Sequence, residues 1–182
     1  MKEGKRRVLA EIWSWVWRLA LAVVIAQAVH LLIFQPVAVK GESMTDTLQN
    51  GEIMYVSKPE YLLGNPSRGD IVICHYPGRK ENFVKRVIGL PGETIELRDG
   101  ELYVNGEFVA QNFDRTPSTR DYGPYTVPAD HYFVMGDNRD NSHDSRASDV
   151  GALTRDQIRG HVQYVVFPFS NFRKVSGDYL SD

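Results

Sequence analysis

Apolar positions are unevenly spread along the 182 residues: continuous near the amino terminus, alternating with polar ones further on. Leu19 to Phe34, LALAVVIAQAVHLLIF, has only Gln27 and His30 as polar members, and Ile12 to Trp17 extends the run on its amino side. A bilayer core of about 30 Å takes about 20 helical residues. The stretch therefore predicts a membrane-spanning helix, with Arg18 reaching back to the headgroups and Trp13, Trp15 and Trp17 in the interface. Two other readings compete. A buried core helix would show a polar face at helical period, and none emerges. A cleaved signal peptide has a small-x-small site in Ala26-Gln27-Ala28, although Val29 to Phe34 continues the apolar run past that cut.

After Gln35-Pro36, which should stop a helix, the pattern is that of short strands and turns. Val37 to Val39, Ile53 to Val56, Asp70 to His75 and Phe83 to Ile88 are rich in β-branched and aromatic residues, with Gly or Pro between them. From Glu93 to Val109, Ile95 and Leu97, then Leu102 and Val104, alternate with polar residues on either side of Asp99-Gly100; Asn105-Gly106 repeats the hairpin signal. Residues 110–128 are polar and contain Pro and Gly, which predicts a loop or extended arm. Tyr132 to Met135 and His161 to Phe167 supply later strands. Helix is expected only over Thr154 to Arg159. The result is a mainly β protein in two parts: 1–34, an amino-terminal segment and anchor, and 35–182, a single β-rich domain in which 93–128 forms a hairpin and loop extension.

Charge sharpens the topology. Residues 1–34 hold Lys2, Lys5, Arg6, Arg7 and Arg18 against Glu3 and Glu11, so the remainder carries −5 of the overall −2. Positive charge before the span places the amino terminus in the cytoplasm and everything after Phe34 outside. A remainder this acidic has no basic footprint for nucleic acid. The single cysteine, Cys74, excludes an intrachain disulfide and a structural zinc site. No metal or cofactor is expected.

Three chemistries compete for the polar residues of this domain. Gly136 to Arg146, GDNRDNSHDSR, is dense in acids, but a calcium loop begun at Asp137 or at Asp140 puts the wrong residues at its ligand and turn positions. Acids alternating with arginines describe an ion-pair network that fixes a loop. His143 lies amid Asp140 and Asp144, yet no G-x-S-x-G elbow offers a nucleophile to it. Ser43, in Gly41-Glu42-Ser43-Met44 just beyond the span, needs a base. Lys85 sits in Phe83 to Ile88, where strand alternation sets it on one face with Phe83 and Val87. Taken alone, Lys85 reads more readily as an edge-strand lysine that discourages aggregation.

At these residues the sequence resembles the type I signal peptidases, membrane-bound serine endopeptidases that remove signal peptides from exported proteins. Ser43 to Leu48, Lys85 to Gly92 and Gly136 to Arg146 occur in that family's order, after an amino-terminal anchor. Tyr122-Gly123-Pro124 and His131 to Met135 add to the likeness. The resemblance implies an antiparallel, barrel-like β catalytic domain outside the cell membrane, with signal peptides of exported preproteins and membrane lipid as partners. It makes Ser43 the nucleophile and Lys85 the general base. Ser142 would hydrogen-bond the lysine, and Arg86 with Asp137, and Asp144 with Arg146, would hold the loop. Val37, Val39, Met44, Leu48, Phe83 and Val84 match a shallow apolar cleft selective for small residues at −1 and −3.

The physics adds its own demand. A lysine near pKa ~10.4 cannot accept a proton at neutral pH, so the amine must be depressed by about three units, roughly 4 kcal/mol, through burial and without a carboxylate close by. Two positions depart from the family pattern: Asp46, where many relatives have proline, and Gly41, where some have a serine that supplies an oxyanion donor. The runner-up reading is a non-catalytic anchored β domain that binds extended peptides; a His-dependent hydrolase comes third.

Overall fold

The computed structural model describes residues 2–33, 35–45, 47–58, 60–111 and 115–175; the side chains of 2–10, 28–35, 62 and 63 lie outside that description. The chain separates into two compact units, residues 1–35 and 36–182. The first is the helix α1 (Lys2–Ile33), along which Trp13, Trp15, Trp17, Leu19 and Val24 are all exposed. Among the described residues no helix is both long and apolar enough to cross a membrane. The carboxyl end of the expected span, from Ala28 to Phe34, has its side chains outside the described residues.

The second unit is built from β1 (Gln35–Ala38), β2 (Ile53–Ser57), the single turn α2 (Glu60–Leu63), β3 (Ile71–His75), β4 (Asn82–Gly89), β5 (Thr94–Arg98), β6 (Glu101–Val104), β7 (Glu107–Val109), β8 (Tyr122–Thr126), β9 (His131–Met135), β10 (Leu153–Thr154), β11 (Ile158–Phe167) and β12 (Arg173–Lys174). The large sheet runs β1-β2-β11-β3-β4-β9-β10, with β12 on β11; the small one runs β7-β6-β5-β8. The large sheet's order has two ends, β1 and β10, so hydrogen bonds do not close it into a barrel among the described residues.

Sequence and position agree closely. The continuous apolar run of β3 is buried over Ile71–Cys74 because both faces of the sheet are covered there, Ile71 and Ile73 packing with Met54 and Val165, and Val72 and Cys74 with Tyr76 and Leu153. β5 and β6 alternate because one face packs on Ile88, Phe133 and Met135 while the other meets solvent. The two hairpin turns take positive φ at both central residues, Asp99 (50°) with Gly100 (80°) and Asn105 (53°) with Gly106 (84°), which matches the right-handed twist of their strands.

Two expectations are corrected. Within the supposed loop 110–128, Tyr122–Thr126 is a strand paired with β5. The register shifts between Ile95 and Leu97, and this irregularity on an edge strand accommodates Pro124, which has no N–H for the ladder. The supposed helix Thr154 to Arg159 is a single 3-10 turn, Arg155–Gln157, closed by a Thr154/Gln157 capping box. Ile158 leaves it to pair with Cys74, and cross-strand bonding in the sheet's interior outweighs local helix propensity.

Candidate active site

Ser43 lies in the loop between β1 and β2, and Lys85 at the middle of β4, directly opposite Val72 of β3. The pairing of β4 with β3 and the return of the loop bring them together: Lys85 Nζ is 2.7 Å from Ser43 Oγ and donates to the Val84 carbonyl at 3.0 Å. Lys85 is 2% exposed and forms no ion pair among the described residues.

Burial therefore holds the Lys85 amine below its ordinary range, against the opposing pulls of Cys74, Asp144 and Asp137. Burial also pushes the Cys74 thiol up to about 12, so it stays protonated near neutrality and puts no charge beside the amine there. Asp144 and Asp137 are the carboxylates that act on it, and each is spoken for. The Arg146 guanidinium meets Asp144 through Nε and Nη2, both at 2.8 Å, and Gly136 N–H adds a third bond at 3.1 Å. Burial pushes the Asp144 carboxyl up, but these donors prevail and hold it below the usual carboxylate range. Arg86 grips Asp137 in the same two-pronged way, Nε to Oδ1 at 2.9 Å and Nη2 to Oδ2 at 2.8 Å, with both side chains essentially inaccessible.

Residues that sequence reasoning left out complete the frame. Thr47 donates its hydroxyl to Asp137 Oδ2 at 2.5 Å, tying the Ser43 loop to the Arg86 pair. Asn138 donates its backbone N–H to Ser43 O and its side-chain amide to Glu42 O. Both residues stand inside the two motif blocks, so their proximity in sequence to Ser43 and Asp137 was the available signal.

Ser142 departs from its expected place. Its Oγ is buried and makes no close hydrogen bond among the described residues, although it helps hold the Asp144 carboxyl down; it does not bond Lys85, whose amine is held instead by Ser43 and Val84. His143 sits at the surface against Asp149, with its ring Nε2 3.0 Å from the carboxylate. Asp46 lies outside the described residues.

A groove of about 270 Å³ ends at the dyad and is walled by Val37, Ala38 and Val39 on one side and by Asn82, Phe83 and Val84 on the other, with Met44 and Ile73 between. Leu48 does not reach it: the residue is fully buried beneath, packed with Val39 and Met44. Phe83 is stiffened by stacking on Tyr76 with ring centroids 4.3 Å apart. The groove's two walls have open backbone edges. β1 ends the large sheet, and β9 joins β4 only from Arg86 onward, so 82–84 is paired with β3 alone. At its mouth, Gly41 has φ +96° and donates its N–H to Asn50 Oδ1 at 3.1 Å.

Known proteins resemble this chain over most of its length. The family model described as "Signal peptidase, peptidase S26" matches residues 12–167. Signal peptidase I P of Bacillus subtilis subsp. natto is 39% identical over 183 residues, covering 95% of this chain and 98% of its own. Signal peptidase I S of Bacillus subtilis strain 168 is 40% identical over 176 residues, covering 91% and 94%. A crystal structure of a signal peptidase I from Enterococcus faecalis V583 is 34% identical, with a TM-score of 0.47 over 54% of this chain and 97% of that one. With matches that span nearly the whole chain at this identity, the chain belongs to the signal peptidase, peptidase S26, family and is a hydrolase of the type I signal peptidase kind.

Proposed function

We propose that this enzyme is a membrane-anchored Ser/Lys endopeptidase that cleaves signal peptides from exported preproteins, with Ser43 as nucleophile and Lys85 as general base. The observation that carries the reading is a buried amine, without an ion pair among the described residues, 2.7 Å from a serine hydroxyl at the end of an apolar groove. With the amine neutral, the Ser43 hydroxyl donates to Nζ. Its proton passes to Lys85 as Oγ attacks the scissile carbonyl, and the Ser43 backbone N–H faces the developing oxyanion. The intermediate collapses with rupture of the C–N bond, and the Lys85 ammonium returns its proton to the leaving amine of the mature protein. A water molecule, deprotonated by the same amine, then hydrolyses the acyl-enzyme and releases the signal peptide's carboxyl end. Gly41 N–H is taken by Asn50, so a second oxyanion donor falls to water or another backbone group.

Substrate binding follows from the two open edges. An extended peptide laid between residues 37–40 and 82–84 gains backbone hydrogen bonds on both sides, independent of most of its side chains. Small residues at −1 and −3 fit because Val39, Met44, Phe83 and Val84 leave a shallow apolar floor. We assign α1 to the membrane on its exposed tryptophans and leucines and the cationic residues that precede them. Phe167, Phe169 and Phe172, exposed at 47%, 83% and 63%, give the β domain an apolar surface of its own suited to a lipid interface.

The test is cleavage of a preprotein in detergent by the wild type, Ser43→Ala and Lys85→Ala. Loss of cleavage in both variants, with folding retained, is expected; full activity in Lys85→Ala overturns the dyad. Covalent capture of Ser43 by an acylating inhibitor separates this reading from a peptide-binding module, which would not react.

A further inference from the structure

The floor of the groove rests on a brace supplied from the far end of the chain. Glu52 is 2% exposed, and its carboxylate faces a planar fork: Arg173 Nη1 meets Oε1 and Nη2 meets Oε2, each at 2.7 Å. The same carboxylate accepts the Gln49 backbone N–H at 2.9 Å and the Asn171 side-chain amide at 3.3 Å. Arg173 Nη2 reaches further, to the Thr47 carbonyl at 2.8 Å. One guanidinium thus holds a carbonyl three residues before Asn50 and the acid that anchors the turn after it.

These attachments act on the groove through the loop's own bonds. Thr47 N–H and Leu48 N–H both donate to Met44 O, at 3.0 and 2.7 Å, while Val39 N–H donates to Glu52 O at 2.8 Å and Gly51 N–H to Val39 O at 3.0 Å. Met44 and Val39 line the groove, Leu48 packs beneath them, and Val175, next to β12, is buried in the same cluster. β12 itself is fixed by pairing Arg173 with Val165 and Lys174 with Tyr164.

We propose that Arg173, acting through Glu52 and Thr47, is a positioning residue that keeps the groove floor rigid and so sets selectivity for a small residue at −1. This rests on the signal-peptide reading above. A pocket rejects a larger side chain only as far as its floor refuses to yield, because close-packed interiors resist each added methylene. A lysine cannot replace the fork, since its compact ammonium is a point charge where the planar guanidinium spans four acceptors, both Glu52 oxygens and the carbonyls of Thr47 and Asn171.

The test uses the full chain in detergent with two signal-peptide substrates, one carrying Ala and the other Val at −1. Wild type, Arg173→Lys and Arg173→Gln are compared with Leu102→Ala, a core truncation in the small sheet that destabilises without touching the groove. The Ala-over-Val ratio of kcat/KM is expected to fall at least about fivefold in Arg173→Gln and by an intermediate amount in Arg173→Lys, with no change in Leu102→Ala. Should Arg173→Gln fail to fold, Arg173→Lys carries the test. A wild-type ratio in the folded Arg173 variants, or an equal fall in Leu102→Ala, overturns the inference and leaves the function intact. A wild type that cleaves neither substrate overturns the function itself.

Discussion

At the scale of single residues, the chemistry turns on how one amine is kept neutral. Lys85 has a folded pKa below its ordinary value because burial disfavours its charged form. The sign follows directly. Below the folded pKa the amine is protonated and cannot take the Ser43 proton, so kcat/KM rises with pH through the folded pKa of Lys85 and levels above it. The unfolded chain binds that proton up to about pH 10.4, so stability also rises with pH between the two values. Initial-rate measurements across pH on a preprotein substrate should show this limb in the wild type. His143→Ala should leave it in place, because the imidazole meets the surface Asp149 and the ring of Tyr76 rather than Ser43 or Lys85. Lys85→Ala should lower the rate by about 10³ or more. Ser142 gives a second residue-scale prediction. Its Oγ makes no close hydrogen bond among the described residues and only helps hold down an Asp144 carboxyl already gripped by Arg146 and Gly136 N–H, so Ser142→Ala should change the melting temperature little. A fall in kcat at constant Tm would then mean that the hydroxyl engages the lysine only once substrate is bound.

The elements hold the dyad through buried ion pairs. Arg86 lies next to Lys85 on β4 and locks Asp137 at the start of the 137–146 loop, while Thr47 couples that pair to the Ser43 loop. Arg86→Met leaves a buried, uncompensated carboxylate and should cost about 3–5 kcal/mol, read as a lower denaturant midpoint. Asp144 adds a pH dependence of the opposite limb. Its folded pKa is depressed, so its contribution is fully present above the unfolded value of about 3.9 and is lost as pH falls through the folded pKa. Urea midpoints measured from pH 6 downward should fall more steeply in the wild type than in Asp144→Asn. Much of this frame was legible in sequence because its parts are local: Asp99-Gly100 and Asn105-Gly106 declare their turns, and alternation alone places Lys85 among apolar neighbours. The strand Tyr122–Thr126 was hidden because Gly123-Pro124 reads as a loop breaker, and only the extra residue this strand carries between Tyr122 and Tyr125 explains how proline fits there. Arg155–Gln157 looked helical because nothing local announces that Ile158 will be claimed by β3. The brace between Glu52 and Arg173 was invisible for a plainer reason. The two residues are 121 positions apart, and no pattern along the chain couples them.

For the whole molecule, the chain divides into residues 1–35 and 36–182, and the proposed function gives the two units different work. Ser43, Lys85, the groove and both buried ion pairs all belong to the second unit. The first contributes a helix with exposed tryptophans and a cationic beginning. If that helix holds the enzyme at the bilayer, its role is to raise the effective concentration of substrates that are themselves presented there. A chain reduced to residues 36–182 should then cleave a short soluble signal-peptide substrate within about threefold of the full chain, because no catalytic atom has been removed. On a preprotein embedded in vesicles of anionic phospholipid, the same truncation should lose about 10²–10⁴ in rate, the range that linkage at a shared surface supplies. Flotation with those vesicles distinguishes the two lipid contacts. The full chain should float, and any residual flotation of 36–182 should disappear in Phe169→Ser, since Phe169 is the most exposed aromatic of the β domain's apolar surface. Equal rates for the two forms on the embedded preprotein would show that α1 does not concentrate the enzyme on its substrate, and the dyad would stand without an anchor.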